Sequence, residues 1–139
     1  MKNYFKIQLP AIGENEAFAR NLISSFVLTL SPTIEEINDL KTAISEAVTN
    51  CVVHAYENKD GIINISAEIN EKTLSVTISD SGKGIKDVEE AKTPMFTSGG
   101  DERSGMGFTI METFMDSLEV TSTLGKGTTV SMSKTFGVC

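Results

Sequence analysis

Strand-like and helix-like patterns occupy separate blocks of this chain of 139 residues and do not alternate along it. Two segments with period-two alternation, 62–69 and 73–79, are joined by the short polar segment 70–72, which predicts a β-hairpin. A second strand pair is predicted at 120–122 and 128–133. Segregated blocks of this kind are typical of an α+β fold. We therefore expect a two-layer sandwich, a mostly antiparallel mixed sheet of about five strands with helices on one face.

The helical blocks carry apolar residues at spacings of three and four. The longest block begins at Thr33, which forms a capping-box pattern with Glu36 and predicts a helix that runs to about residue 56. Its apolar stripe includes Leu40, Ile44 and Cys51. The other expected elements are a strand at 3–9, helices at 15–30, 86–91 and 107–117, and a mobile glycine-rich loop at 93–104.

Length and composition limit the class of protein. We expect one domain, 1–139, with a core of its own. No apolar run approaches the ~20 residues that span a membrane, and the first residues lack a signal-peptide core, so we expect a cytoplasmic protein without a membrane partner. The net charge of −7, with Lys and Arg scattered, argues against direct binding of nucleic acid and leaves open a basic protein partner. Cys51 and Cys139 are expected to be a buried thiol and a thiol at the frayed end.

Three short segments carry side chains suited to chemistry: S-E-A-V-T-N at 45–50, D-S-G-K-G-I at 80–85 and R-S-G-M-G-F at 103–108. Taken alone, the first segment is usually a solvated helix face, the second a turn and the third a tight loop. Their order, and their expected places on a helix, at a strand end and at a helix start, favour a common role. Together they can form a site for ATP and Mg²⁺.

Glu46 and Asn50 lie one helical turn apart and are expected to project together, away from the apolar stripe. The amide oxygen of Asn50 can take one position on Mg²⁺, which otherwise prefers water and phosphate oxygens. The Glu46 carboxylate can orient or deprotonate a nucleophile near the γ-phosphate. His54, the only histidine, is expected to be an ordinary residue of the same helix face.

The second segment is expected to contact the base. Asp80 follows a strand, and its carboxylate accepts hydrogen bonds only. It can therefore accept a hydrogen bond from the amino group of adenine and reject guanine, which has an oxygen at that position. Gly82 and Gly84 lack Cβ atoms, which would let the backbone wrap closely around a flat base. Thr129, at the start of the last strand, could point its hydroxyl at Asp80.

The third segment is expected to hold the phosphates. Gly105, Met106 and Gly107 stand at a predicted helix start, where free N–H groups and the positive end of the helix dipole favour an anion. The loop before them could close over the nucleotide and exclude water. The spacing G-x-x-x-x-G-K-[ST] is absent from the chain, which excludes a P-loop NTPase.

With these residues in view, the chain resembles the GHKL ATPase superfamily, which has the Bergerat nucleotide-binding fold. Segment 45–50 matches its N box, 80–84 its first glycine box and 103–107 its second. A closer resemblance, over essentially the full length, is to the anti-sigma-F factors of spore-forming bacteria. It includes E-N-E-A-F-A-R at 14–20 and E-R-S-G-M-G-F-T-I-M-E at 102–112.

The resemblance implies a homodimeric, ATP-dependent protein serine kinase. Such a protein binds and inhibits the sporulation sigma factor F and phosphorylates its anti-anti-sigma factor, with ATP and Mg²⁺ as cofactors. By position, Glu46 would be the catalytic base, Asn50 the Mg²⁺ ligand and Asp80 the adenine contact. The resemblance also implies that the pocket is shaped by Gly82, Gly84, Gly105 and Gly107 and that partners contact Arg20 and Arg103.

Two other functions stay open from the sequence. One is a binding module that ATP gates without phosphate transfer, although binding alone needs no base such as Glu46. The other is the detached catalytic domain of a sensor histidine kinase. That alternative lacks a helical hairpin with an exposed acceptor histidine, a role that His54 inside the N-box helix cannot fill.

Overall fold

The computed structural model of the chain describes residues 2–85, 87–88 and 102–137, with the backbone alone for 102–106. None of the helices in these ranges has the length and apolar character needed to span a bilayer. In chain order the elements are β1 (Lys2–Pro10), α1 (Glu14–Phe26), a 3₁₀ turn (Val27–Leu30), α2 (Ile34–Thr49), a π-helix (Asn50–Ala55), β2 (Ile62–Asn70), β3 (Thr73–Asp80), α3 (Glu102–Phe114), β4 (Ser117–Thr123) and β5 (Gly127–Thr135).

The five strands form one sheet in the order β1-β2-β3-β5-β4. All four pairings between these described strands are antiparallel, so none of them is the parallel pair that a mixed sheet would contain. Both predicted hairpins are present, β2 with β3 and β4 with β5. The α+β fold expected from the segregated blocks is confirmed.

The core lies between one face of the sheet and the helices. Alternate residues of β2 and β3 are buried, as period-two alternation requires when one face of a sheet is covered. The other face carries polar side chains. The covering side of α2 follows the predicted apolar stripe, and the buried residues that join these layers are Ile63, Ile65, Ala67, Ile69, Leu74, Val76, Ile78, Leu40, Ala43, Ile44, Ala47 and Val48.

The start of α2 is the predicted capping box. Thr33 Oγ1 accepts a hydrogen bond from the Glu36 N–H at 3.0 Å, and Glu36 Oε1 accepts one from the Thr33 N–H at 2.9 Å. The far end of the helix differs from the expectation, because its last residues, Asn50–Ala55, form a π-helix. Short π-helical segments occur often at functional sites, and this one begins at a candidate magnesium ligand.

The capping box makes the stability of the fold depend on the charge of Glu36. The hydrogen bond from the Thr33 N–H lowers the pKa of Glu36 below its ordinary value. We expect Glu36→Ala to lower the free energy of unfolding at pH 7 by about 1 kcal/mol. Because the folded pKa is lowered, this contribution is present above the unfolded pKa and is lost as pH falls through the folded one. Urea unfolding at pH 7 and pH 3, with Glu35→Ala as the control, measures both effects.

The third helix begins earlier than the sequence predicts. Helix α3 runs over Glu102–Phe114, whereas the expected helix spanned 107–117 and the expected loop reached residue 104. Its end is held by Lys134, whose Nζ donates to the Phe114 carbonyl at 3.0 Å, and β4 then begins at Ser117. Two glycines in the sequence suggested a helix start, but packing against α2 sustains the helix through them. Most of the predicted helix at 86–91 and most of the predicted loop lie outside the described residues.

Candidate functional site

The side chains of Glu46 and Asn50 meet helix α3 at Gly107. A Cβ atom placed on Gly107 would stand 3.1 Å from Glu46 Oε2 and 3.4 Å from Asn50 Oδ1. The two side chains therefore project to one place, as their spacing predicts, and the first and third sequence segments come together there. Any larger residue at Gly107 would push on both groups, so glycine keeps the space that they face.

Asn50 carries a polar atom that needs a partner. Its Nδ2 is buried and has no hydrogen-bond partner among the described residues. Leaving a buried amide unpaired costs about 1–3 kcal/mol, so such a group in a native site invites a ligand. The oxygen of the same amide is a hard, neutral ligand of the kind that Mg²⁺ accepts. Because Mg²⁺ keeps several waters and takes phosphate oxygens as further ligands, one amide oxygen from the chain fits such an ion.

Asp80 lies at the end of β3, opposite Thr128 of β5 and Ile63 of β2. Its Oδ1 accepts hydrogen bonds from the N–H groups of Gly82, at 2.9 Å, and Thr128, at 3.3 Å. Burial raises the pKa of Asp80, and the hydrogen bond from Gly82 opposes that rise. Backbone donors thus orient the carboxylate, and partial burial shields it from water. Both properties suit a group that accepts a hydrogen bond from a ligand.

Cys51 joins this carboxylate to the helix that carries Glu46. The thiol is buried, as predicted, and it also forms a hydrogen bond with Asp80. Burial, together with the negative charge of Asp80, raises the pKa of Cys51 well above its ordinary value. The thiol therefore stays protonated and can act as a donor. The sequence indicated its burial but offered no signal for this contact.

The register of β5 corrects the expectation for Thr129. Thr129 pairs with Ser79, whereas Thr128 pairs with Asp80. Because side chains alternate between the two faces of a strand, Thr128 shares the face of Asp80 and Thr129 lies on the other. The interpretation that Thr129 points at Asp80 is therefore wrong. The hydroxyl of Thr128 is instead 2.8 Å from that of Ser122, a pair that the sequence reasoning missed.

Gly82 and Gly84 serve packing within the chain. A Cβ atom on Gly82 would overlap the carbonyl of Ala55, and one on Gly84, where φ is +76°, would overlap the carbonyl of Thr123. The missing Cβ atoms are thus required by packing within the chain, and the contact of this loop with a flat base stays a prediction. They let the loop after Asp80 fit between the π-helix and the β4–β5 hairpin.

The early start of α3 also changes how its glycines can act. Gly105 and Gly107 are the fourth and sixth residues of the helix, so only the N–H group of Gly107 falls beyond the four unpaired ones at its start. The expectation of a free N–H group is wrong for Gly107, which contributes space beside Glu46 instead, and it stays a prediction for Gly105. The side chains of Arg103 and Met106 lie outside the description.

Arg20 lies where α1 meets α2. Its Nη1 donates to Glu16 Oε1 at 2.6 Å and to Ser45 Oγ at 3.2 Å. The guanidinium therefore contacts Ser45, the residue directly before the candidate base Glu46 in the sequence. The implied contact of Arg20 with a protein partner stays a prediction, and the side chain is already held by two partners of its own chain.

Comparisons with known proteins identify a family model and relatives that match this chain. The family model described as histidine kinase-like ATPase domain matches residues 10–134. The chain is 54% identical over 136 residues to the anti-sigma F factor of Caldanaerobacter subterraneus subsp. tengcongensis, covering 97% of this chain and 95% of that one. It is 55% identical over 138 residues to the anti-sigma F factor of Clostridium beijerinckii, covering 98% and 96%.

A likeness to a solved structure extends to the fold. The nucleotide-free catalytic domain of the histidine kinase ThkA superposes with a TM-score of 0.60 at 15% identity, covering 96% of this chain and 98% of that domain. At that identity the likeness concerns the arrangement of strands and helices alone. Taken with the family model and the two relatives, it leads to one conclusion: the chain belongs to the anti-sigma F factors, a family built on the histidine kinase-like ATPase domain.

Proposed function

We propose that this chain is an ATP-dependent protein serine kinase that also binds and inhibits the sporulation sigma factor F. In this proposal it phosphorylates, and so inactivates, the anti-anti-sigma factor that would otherwise release the sigma factor. The observation that carries the enzymatic part is the convergence of Glu46 and Asn50 on Gly107. A carboxylate beside a buried amide with an unpaired nitrogen is suited to transfer chemistry, whereas simple binding needs no base.

Each site residue has a distinct role in the proposed reaction. Glu46 accepts the proton of the attacking serine hydroxyl, as the catalytic-base carboxylate of other phosphoryl-transfer enzymes does. Asn50 would hold Mg²⁺, which neutralises charge on the phosphates of bound ATP. Asp80 accepts a hydrogen bond from the amino group of adenine, and its backbone donors keep the carboxylate oriented toward that group.

The same proposal gives the two arginines a role toward partners. Arg20 would hold a carboxylate of either partner, so that the sigma factor and the anti-anti-sigma factor compete for it. Arg103 would serve mainly the second partner. We further propose that the chain is one domain, acts in the cytoplasm as a homodimer, and makes no direct contact with nucleic acid.

Reversing the charge of Arg20 tests this shared contact. We expect Arg20→Glu to weaken both complexes by about 2 kcal/mol, because the new carboxylate repels the one that Arg20 would bind. Calorimetric titration with each purified partner measures the change. Lys41→Glu, the same change of charge on α2, is the control and should leave both affinities within about twofold. A loss confined to one partner would contradict the competition.

The proposed function is tested with purified proteins. Radiolabelled ATP and the anti-anti-sigma factor should give a phosphoserine product, and a sigma factor should co-purify with the chain when ATP is present. Capture of the sigma factor without transfer of label would support the gated binding module instead. Label on a histidine of a partner, and none on serine, would support the detached histidine kinase domain.

A further inference from the structure

We propose that Tyr56 is a positioning residue of the nucleotide site, whose hydroxyl sets the place of the loop that follows Asp80. This inference rests on the proposed function, because it assigns the loop a task in binding ATP. Tyr56 comes directly after the π-helix, and its ring is packed against the core. Neither the three sequence segments nor the spacing of the site residues points to it.

The hydroxyl of Tyr56 is placed between two strands. Its oxygen accepts a hydrogen bond from the Ser81 N–H at 2.7 Å and donates to the Ile62 carbonyl at 2.7 Å. The last register pair of β2 and β3 is Ile63 with Asp80, so the next pair along the ladder would be Ile62 with Ser81. A side-chain hydroxyl therefore bridges the two residues that would otherwise continue the sheet.

This bridge acts on Asp80 through the neighbouring backbone. The Gly82 N–H that donates to Asp80 Oδ1 belongs to the residue directly after Ser81. Moving Ser81 toward or away from β2 would therefore move a donor that orients the carboxylate. Without the hydroxyl, the Ser81 N–H loses its acceptor and the loop loses its link to the Ile62 carbonyl.

Further contacts tie the same loop to the helix that carries Glu46 and Asn50. The Lys83 N–H donates to the Ala55 carbonyl, the last of the π-helix, at 3.0 Å. The Tyr56 ring lies against Gly61, where a Cβ atom would stand 2.5 Å from three ring carbons. The contact with Gly61 thus fixes the position of the ring. Residues 55 and 56 connect the loop after Asp80 to the helix that carries Glu46 and Asn50.

Deleting the hydroxyl alone tests the proposal. Tyr56→Phe removes the hydroxyl and keeps the ring and its packing. The only other tyrosine of the sequence is Tyr4, whose side chain is 68% exposed, and Tyr4→Phe is the matched control. We expect Tyr56→Phe to raise both the Kd and the KM for ATP about threefold to tenfold, the range that one net hydrogen bond supports. It should leave kcat at saturating ATP unchanged and narrow the preference for ATP over GTP. Tyr4→Phe should change none of these.

Hydrogen exchange supplies a reading that does not depend on the nucleotide. The Ser81 amide should exchange faster in Tyr56→Phe than in the wild-type chain without ATP, and at an unchanged rate in Tyr4→Phe. Gly61→Ala, which displaces the ring, should raise the KM in the same direction. Faster exchange at Ser81 with an unchanged ATP Kd would overturn the proposal, as would a fall in kcat at constant KM. Failure of the wild-type chain to bind ATP would instead overturn the proposed function.

Discussion

Replacing Glu46 with glutamine is expected to slow phosphoryl transfer by about 10²–10⁴-fold, the usual contribution of a general base. Glutamine has nearly the same shape but cannot take up the proton of the attacking hydroxyl. The side chain lies beside Gly107 and outside the buried core, so the fold should tolerate the change. ATP affinity should stay nearly the same, because the proposed contacts with adenine and with the magnesium ion are made by Asp80 and Asn50.

Single-turnover rates with radiolabelled ATP and the anti-anti-sigma factor measure this loss, and calorimetry measures ATP binding separately. Glu35→Gln, on the exposed first turn of the same helix, is the matched control and should transfer phosphate at the normal rate. A normal rate for Glu46→Gln would show that another group is the base. Loss of ATP binding together with the rate would mean that Glu46 acts on the nucleotide instead.

Replacing Asp80 with asparagine is expected to weaken ATP binding by roughly 1.5–3 kcal/mol, the value of a hydrogen bond to a charged group. Preference for adenine over guanine should also relax, because an amide can donate as well as accept. Burial raises the pKa of Asp80, so the charged form is lost as pH falls through that raised value. The ATP affinity of the wild-type chain should therefore decline on acidification sooner than an ordinary aspartate would allow, and the variant should lack this step.

Calorimetry with ATP and GTP between pH 7 and pH 4 measures these effects. Asp60→Asn, in the exposed turn before β2, is the control for the loss of one charge and should bind ATP normally. Unchanged ATP affinity in Asp80→Asn would place the adenine contact elsewhere. Weaker binding with unchanged preference for adenine would assign Asp80 a structural role in the loop.

The local parts of this site were predictable from the chain alone. Glu46 and Asn50 are one turn apart, and the geometry of a helix makes residues at that spacing project together whatever surrounds them. The capping box at Thr33 and the alternation in β2 and β3 are equally local, and the structure confirms both. The α+β class follows from the order of these elements, since it depends on patterns that neighbouring residues carry.

Contacts between distant segments needed the tertiary structure. Strand register decides that Thr128, and not Thr129, stands beside Asp80, and a slip of one residue would exchange their faces. Packing against α2 decides that α3 continues through Gly105 and Gly107.

The sequence also could not predict the packing of the glycines in the Asp80 loop or the bridge made by Tyr56. Both depend on backbone atoms that lie far away in the sequence and close in space. The chain alone determines which side chains its helices and strands can present together. Only the packing of those elements decides what each side chain meets, because register and close approach are set by many weak contacts at once.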